Sequence, residues 1–151
     1  MTYKIIISTL ALLVLSHSAK SQRVVPSNGD NIIVITGDTS ASKNLDNFGR
    51  HLIDKGYSFV SIDRIFNTIT TEERTSEGEY RHKLHIYFKD STITVRVTCN
   101  KHMTGSSVVT YTWLDWQYGG KYFFDIDHLH YRAFIPVISS FNKPFLFYQR
   151  P

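Results

Sequence analysis

A chain of 151 residues with 42% hydrophobic, 14% aromatic and 20% charged side chains has enough length for one domain with a sizeable core. It is too apolar for a wholly disordered, collagen-like or coiled-coil protein. One cysteine, Cys99, excludes an internal disulfide framework and a multi-cysteine zinc site, and the formal charge of +4 has to be read together with the N-terminus.

There Lys4 precedes an apolar run at residues 5–15, broken only by Ser8 and Thr9, with small and polar residues at 16–22. That is the layout of a cleaved export signal. The run is well short of the roughly 20 residues that cross a bilayer, so a permanent anchor is not expected. Ala19-Lys20-Ser21 has small residues at both positions of an A-x-A-like site, which predicts Gln22 as the mature terminus, with cleavage after Ser18 as the alternative. No cysteine lies close enough to take a lipid. The expected organisation is a signal at 1–21, a flexible leader at 22–30 and one α+β domain at 31–151, periplasmic or secreted and without a membrane anchor. Loss of Lys4 and Lys20 leaves 15 basic residues against 13 acidic ones, too small an excess to steer a polyanion over long range.

Ile32-Ile33-Val34-Ile35-Thr36 is β-branched throughout and predicts a strand buried on both faces or at a sheet centre. Thr39 or Ser40 then caps a helix whose stripe is Leu45, Phe48, Leu52 and Ile53, and Gly56 suits the left-handed position just past its end. Residues 57–62 predict a strand, 63–66 a turn, and 67–71 a second extended segment. A hydrophilic connection occupies 72–79. Leu84, Ile86 and Phe88 alternate with polar neighbours, as do Ile93, Val95, Val97 and Cys99. With Asp90-Ser91 as the turn, Phe88 faces Ile93, Ile86 faces Val95, Leu84 faces Val97 and His82 faces Cys99, which puts every apolar side chain on one face. Residues 108–113 predict another strand. Asp125 or Asp127 is expected to cap a second helix, kinked or divided near Arg132 by Pro136, before a closing strand at 145–148.

This order of elements, with the helix-Lys-Gly-Tyr-strand-turn-Thr-Ile-Thr-Thr run over residues 54–71, resembles small exported bacterial domains of unknown function with a TBP-like fold. It is more distantly similar to the repeated domain of BamC-type outer-membrane assembly lipoproteins. The resemblance covers about residues 31–99 and implies a curved antiparallel sheet with helices on one side. It supplies no catalytic residues. The chain lacks the lipidated cysteine of the lipoproteins, so neither tether nor assembly role is carried over.

Six histidines outlast cleavage: His51, His82, His85, His102, His128 and His130. His82 and His85 fall on opposite faces of a strand, and His128 and His130 chelate only if their segment is extended rather than helical. Cys99 opposite His82 continues an apolar face and reads as a buried small hydrophobe. No nucleophile elbow, phosphate loop or dinucleotide fingerprint is present. Arg81, Lys83, His85, Tyr87, Lys89 and Arg96 collect on the outward face of the hairpin. Such a face can hold phosphates, but with export and nearby glutamates no nucleic-acid partner is expected.

The aromatic stretch from Tyr111 to Phe124 supplies a candidate partner surface at Trp116, Tyr118 and Tyr122. The expected fold is therefore α+β, a curved antiparallel sheet of about five or six strands with two helices on one face. The expected function is a non-enzymatic binding or structural module of the cell envelope, engaging protein or glycan and needing no cofactor. A small histidine-dependent hydrolase or metal-binding enzyme is the alternative.

Overall fold

A computed structural model describes residues 24–75, 81–103, 110–119 and 124–149. The signal and its cleavage sites lie outside the described residues. Strand β1 (Ile32–Thr36) leads into helix α1 (Ala41–Asp54), followed by β2 (Phe59–Asp63), β3 (Thr68–Thr71), β4 (Arg74–Thr75), β5 (Arg81–Lys89), β6 (Thr92–Met103), β7 (Thr110–Asp115), helix α2 (Phe124–Ser139) and β8 (Phe145–Tyr148). The path through the sheet is β2-β3-β5-β6-β1-β8, with β4 beside β5 and β7 beside β6. Every pairing is antiparallel. The five or six strands expected correspond to this path, and the two further strands bring the sheet to eight.

The β5–β6 hairpin has the register that its alternation demands, with Phe88 on Ile93, Ile86 on Val95, Leu84 on Val97 and His82 on Cys99. A one-residue slip would turn one strand's apolar set into water. Val95 is fully enclosed and Arg96 faces the open side. Ile33 and Ile35 of β1, Ile69 of β3 and Phe147 of β8 extend the same apolar face, and Leu45, Phe48 and Leu52 from α1 and Phe134 and Ile138 from α2 cover it. β1 is central, between β6 and β8. Its second face is nonetheless only half-buried, because neither α1 nor α2 covers that side of the sheet.

Ser40 caps α1, its hydroxyl accepting from the Lys43 amide, and Gly56 has φ +79° just beyond the helix, where a side chain would be strained. Two expectations about the helices are corrected. Ile53 leaves the buried stripe and is 57% exposed, on the rim of a groove it shares with Phe59 and Ile62 rather than in the core that encloses Leu52. The second helix begins at Phe124, before either aspartate proposed as its cap, and runs unbroken through Pro136. A proline three residues from a helix end deprives one carbonyl of its donor without interrupting the rest of the ladder. Residues 27–30, read as leader, are tied down. The Gly29 amide donates to the Tyr118 carbonyl at 2.9 Å and the Tyr118 amide to the Asp30 carbonyl at 2.9 Å.

Asn44 joins three elements. Fully buried on α1, it donates to the Asp38 carbonyl at 3.0 Å and the Lys89 carbonyl at 2.9 Å, and its own carbonyl accepts from the Asp38 amide. Gly37 makes room for it, because a Cβ there would collide with the Asn44 amide. Asn44→Ala is expected to lower stability by about 2 kcal/mol, since it strands buried backbone groups without partners. Urea unfolding measures this as an earlier midpoint with an unchanged slope.

Candidate functional site

The histidines occupy separate structural roles. His51 Nε2 is 2.9 Å from the Val137 carbonyl oxygen and holds the two helices together. His85 Nε2 is 3.1 Å from Thr98 Oγ1 on the open face, and its pKa is lowered first by burial and then by the Arg96 charge. His82, on the core face, shares a 3.0 Å hydrogen bond with the Tyr57 hydroxyl. Only 1% of His82 is exposed, so no substrate reaches it. The side chains of His102, His128 and His130 lie outside the described residues, although the backbone at 128 and 130 is helical, which removes the extended geometry their pairing required. Among the described residues, no three of the His, Cys, Asp and Glu side chains gather as a metal set. Cys99 is buried.

The aromatic candidates are mostly interior. Trp116 has no exposed surface. It stacks on Tyr131 at 6.2 Å and meets Phe134 edge-on at 5.0 Å. Tyr118 is half-buried against Trp116 and Tyr131, and Tyr122 lies outside the described residues. The two described members therefore build a wall of the core, because α2 presents its own aromatic rings to them. Presentation of Trp116 to a partner would require unfolding.

On the uncovered sheet face the charges largely satisfy one another. Lys83 Nζ sits 4.3 Å above the Trp113 ring, Arg96 pairs with Asp115 at 2.7 Å and Arg81 with Glu73 at 2.8 Å. The two arginines are thus already paired with carboxylates, which weakens their pull on a polyanion.

The outer edge of β2 is different in character. Its one strand partner among the described residues is β3, so no described strand lies beside the other side of its backbone. Between this edge and α1 runs an apolar groove of about 170 Å³, lined by Leu45, Gly49 and Ile53 from the helix and Phe59, Ile62 and Ile69 from the sheet. Asp46, Arg50 and Arg64 provide its charges. The helix comes close at Gly49, where a Cβ would stand 3.1 Å from the Ile69 δ-methyl.

In β2 and the turn after it Val60, Ile65 and Phe66 are 64%, 86% and 76% exposed, and Ile62, which lines the groove, is also open to solvent. Solvated surfaces more often scatter such side chains singly. Residues 59–66 were legible only as a strand and a turn. The usable signal was that Phe59, Val60 and Ile62 do not keep a two-residue period, which reflects the β-bulge between Phe59 and Ser61.

Comparison of the chain with family models, with curated proteins and with solved structures returns no match.

Proposed function

We propose that the protein is an exported, non-enzymatic binding module of the cell envelope whose docking site is the β2 edge with its groove, and whose partner is an extended protein segment. The observation that carries this is the coincidence of an unpaired strand edge with an apolar recess beside it. Added strands are recognised in this way, with main-chain hydrogen bonds supplying affinity and a pocket for alternate side chains supplying selectivity. Export is supported by the charged, short-apolar, small-residue order of residues 4–21. No helix of the described residues is long and apolar enough to cross a membrane.

The test is site-specific photo-crosslinking in cells that export the chain. p-Benzoylphenylalanine in place of Val60 or Phe66 is expected to give a discrete protein adduct, and the same probe in place of Tyr87, on the uncovered face, is expected to give none. Adducts at position 87 alone would move the docking surface to the open sheet face and overturn the proposal.

A further inference from the structure

We infer that the extended segment received at this edge carries an apolar side chain of about phenylalanine size two residues away from a carboxylate, the first filling the groove and the second pairing with Arg50; the inference rests on the docking reading above. Size decides the first part. A cavity of about 150 Å³ with Leu, Ile and Phe walls takes one benzene, and whole small molecules occupy sites from about 300 Å³ upwards. At about 170 Å³ the groove therefore has room for one large side chain, and not for a cofactor, a lipid tail or the several anchors of an amphipathic helix. Its depth is apolar. Leu45, Gly49 and Ile69 are buried, whereas Ile53, Ile62, Arg50 and Arg64 are exposed and form the rim. Half-buried Phe59 supplies an aromatic wall, against which a ring packs edge-on or offset.

Charge decides the second part. The charged side chains of the lining are Asp46, Arg50 and Arg64. Asp46 is already held by Arg64 at 3.1 Å. Arg50 forms no ion pair among the described residues, although Asp46 and Asp54 each lie about one helical turn from it on α1, and Asp54 is not part of the lining. The groove thus keeps one uncompensated cation beside an apolar recess, and an anionic group on the occupant complements it. Spacing follows from the strand. Successive side chains of an extended segment point to opposite faces, so a carboxylate shares the anchor's face only at the second residue, about 7 Å along the chain.

Methyl NMR titration of the exported chain with blocked heptapeptides tests the inference. The first is acetyl-Thr-Glu-Thr-Phe-Thr-Glu-Thr-amide, which offers a carboxylate in either strand direction, and its counterparts have glutamine or lysine in place of both glutamates. The glutamate peptide is expected to shift the methyls of Leu45, Ile53, Ile62 and Ile69. It is expected to bind about threefold more tightly than the glutamine peptide at low salt, the scale of one exposed ion pair, with the lysine peptide weakest. Alanine in place of its phenylalanine is expected to weaken it about tenfold or more, as loss of a buried ring does. Arg50→Gln is expected to abolish the preference for glutamate, and Arg50→Glu to turn it toward lysine. Arg50 is exposed, and circular dichroism establishes that both variants are folded. Equal binding of the glutamate and glutamine peptides, a preference that survives in Arg50→Gln, or no binding of any peptide overturns the inference. The docking reading is judged apart from it. Adducts at positions 60 and 66 that persist unchanged in Arg50→Glu leave the edge a docking site while the acidic, ring-bearing occupant fails; their absence in the native chain removes the docking site, and with it the inference.

Discussion

Trp116→Ala is expected to destabilise the domain by about 3–5 kcal/mol, the range for removing a large aromatic from a packed interior. The ring is fully enclosed and bounded by Phe134 edge-on, Tyr131 face-on and Tyr118 at 6.2 Å. Its backbone amide donates to the Val97 carbonyl at 2.8 Å, so the position is anchored and the neighbours cannot easily collapse into the void. A domain of this size has a total stability of about 5–15 kcal/mol, so the loss removes from about a fifth of it to all of it. Trp113 provides the internal control. It is partly exposed on the open face beneath Lys83, where the cation–π contact is worth about 0.5–1 kcal/mol. Urea denaturation of the two alanine variants should differ by several kcal/mol, and equal losses would contradict the placement of Trp116 in the core.

Acid is expected to weaken the fold through His82. Burial, with a smaller push from the Arg74 charge, lowers its pKa from 6.5 to about 4. Nε2 is engaged with the Tyr57 hydroxyl, and Nδ1 has no hydrogen-bond partner. A protonated ring would have to bury a second N–H with no acceptor, near a guanidinium that lies 4.6 Å from the centre of the Tyr57 ring. The folded state therefore binds the proton less readily than the unfolded chain. Its stability is whole above the unfolded pKa of about 6.5 and declines as pH falls from there through about 4, a loss of about 3 kcal/mol. The measurement is unfolding free energy against pH, with the imidazole titration followed by NMR. A wild-type profile flat between these limits would sink the assignment, and His82→Phe is expected to flatten it. Tyr57 acts at the alkaline end. Burial raises its pKa, the Arg74 charge opposing in part, so stability also declines as pH climbs past 10, where the unfolded phenol ionises first.

The parts of the fold legible in the sequence are those in which a local pattern has a single physical solution. The hairpin is the clearest, because alternation over residues 84–88 and 93–99 admits one register with all apolar groups on one side. The Ser40 cap and Gly56 stop of α1 are similarly local. The exposed apolar edge of β2 was not legible. Ile53, Val60 and Ile62 have the composition of core residues, and their exposure depends on β2 being last in the sheet order, a fact about which strands lie elsewhere. The placement of Trp116 was ambiguous for the converse reason. Tyrosine and tryptophan suit interior and interface equally, and only the arrival of Tyr131 and Phe134 on α2 decides in favour of the interior. Pro136 does not divide α2, which continues as one helix to Ser139.

The Asn44 clasp also bears on how the chain assembles. The acceptors that seat the start of α1 belong to the hairpin tip: the Lys89 carbonyl takes the Asn44 amide, and the Asp90 carboxylate takes the Ala41 N–H at 2.9 Å. A hairpin zipped out of step by one position would point that carbonyl the other way and leave the helix without its seat. Docking of the helix thus favours the correctly aligned ribbon over a slipped one.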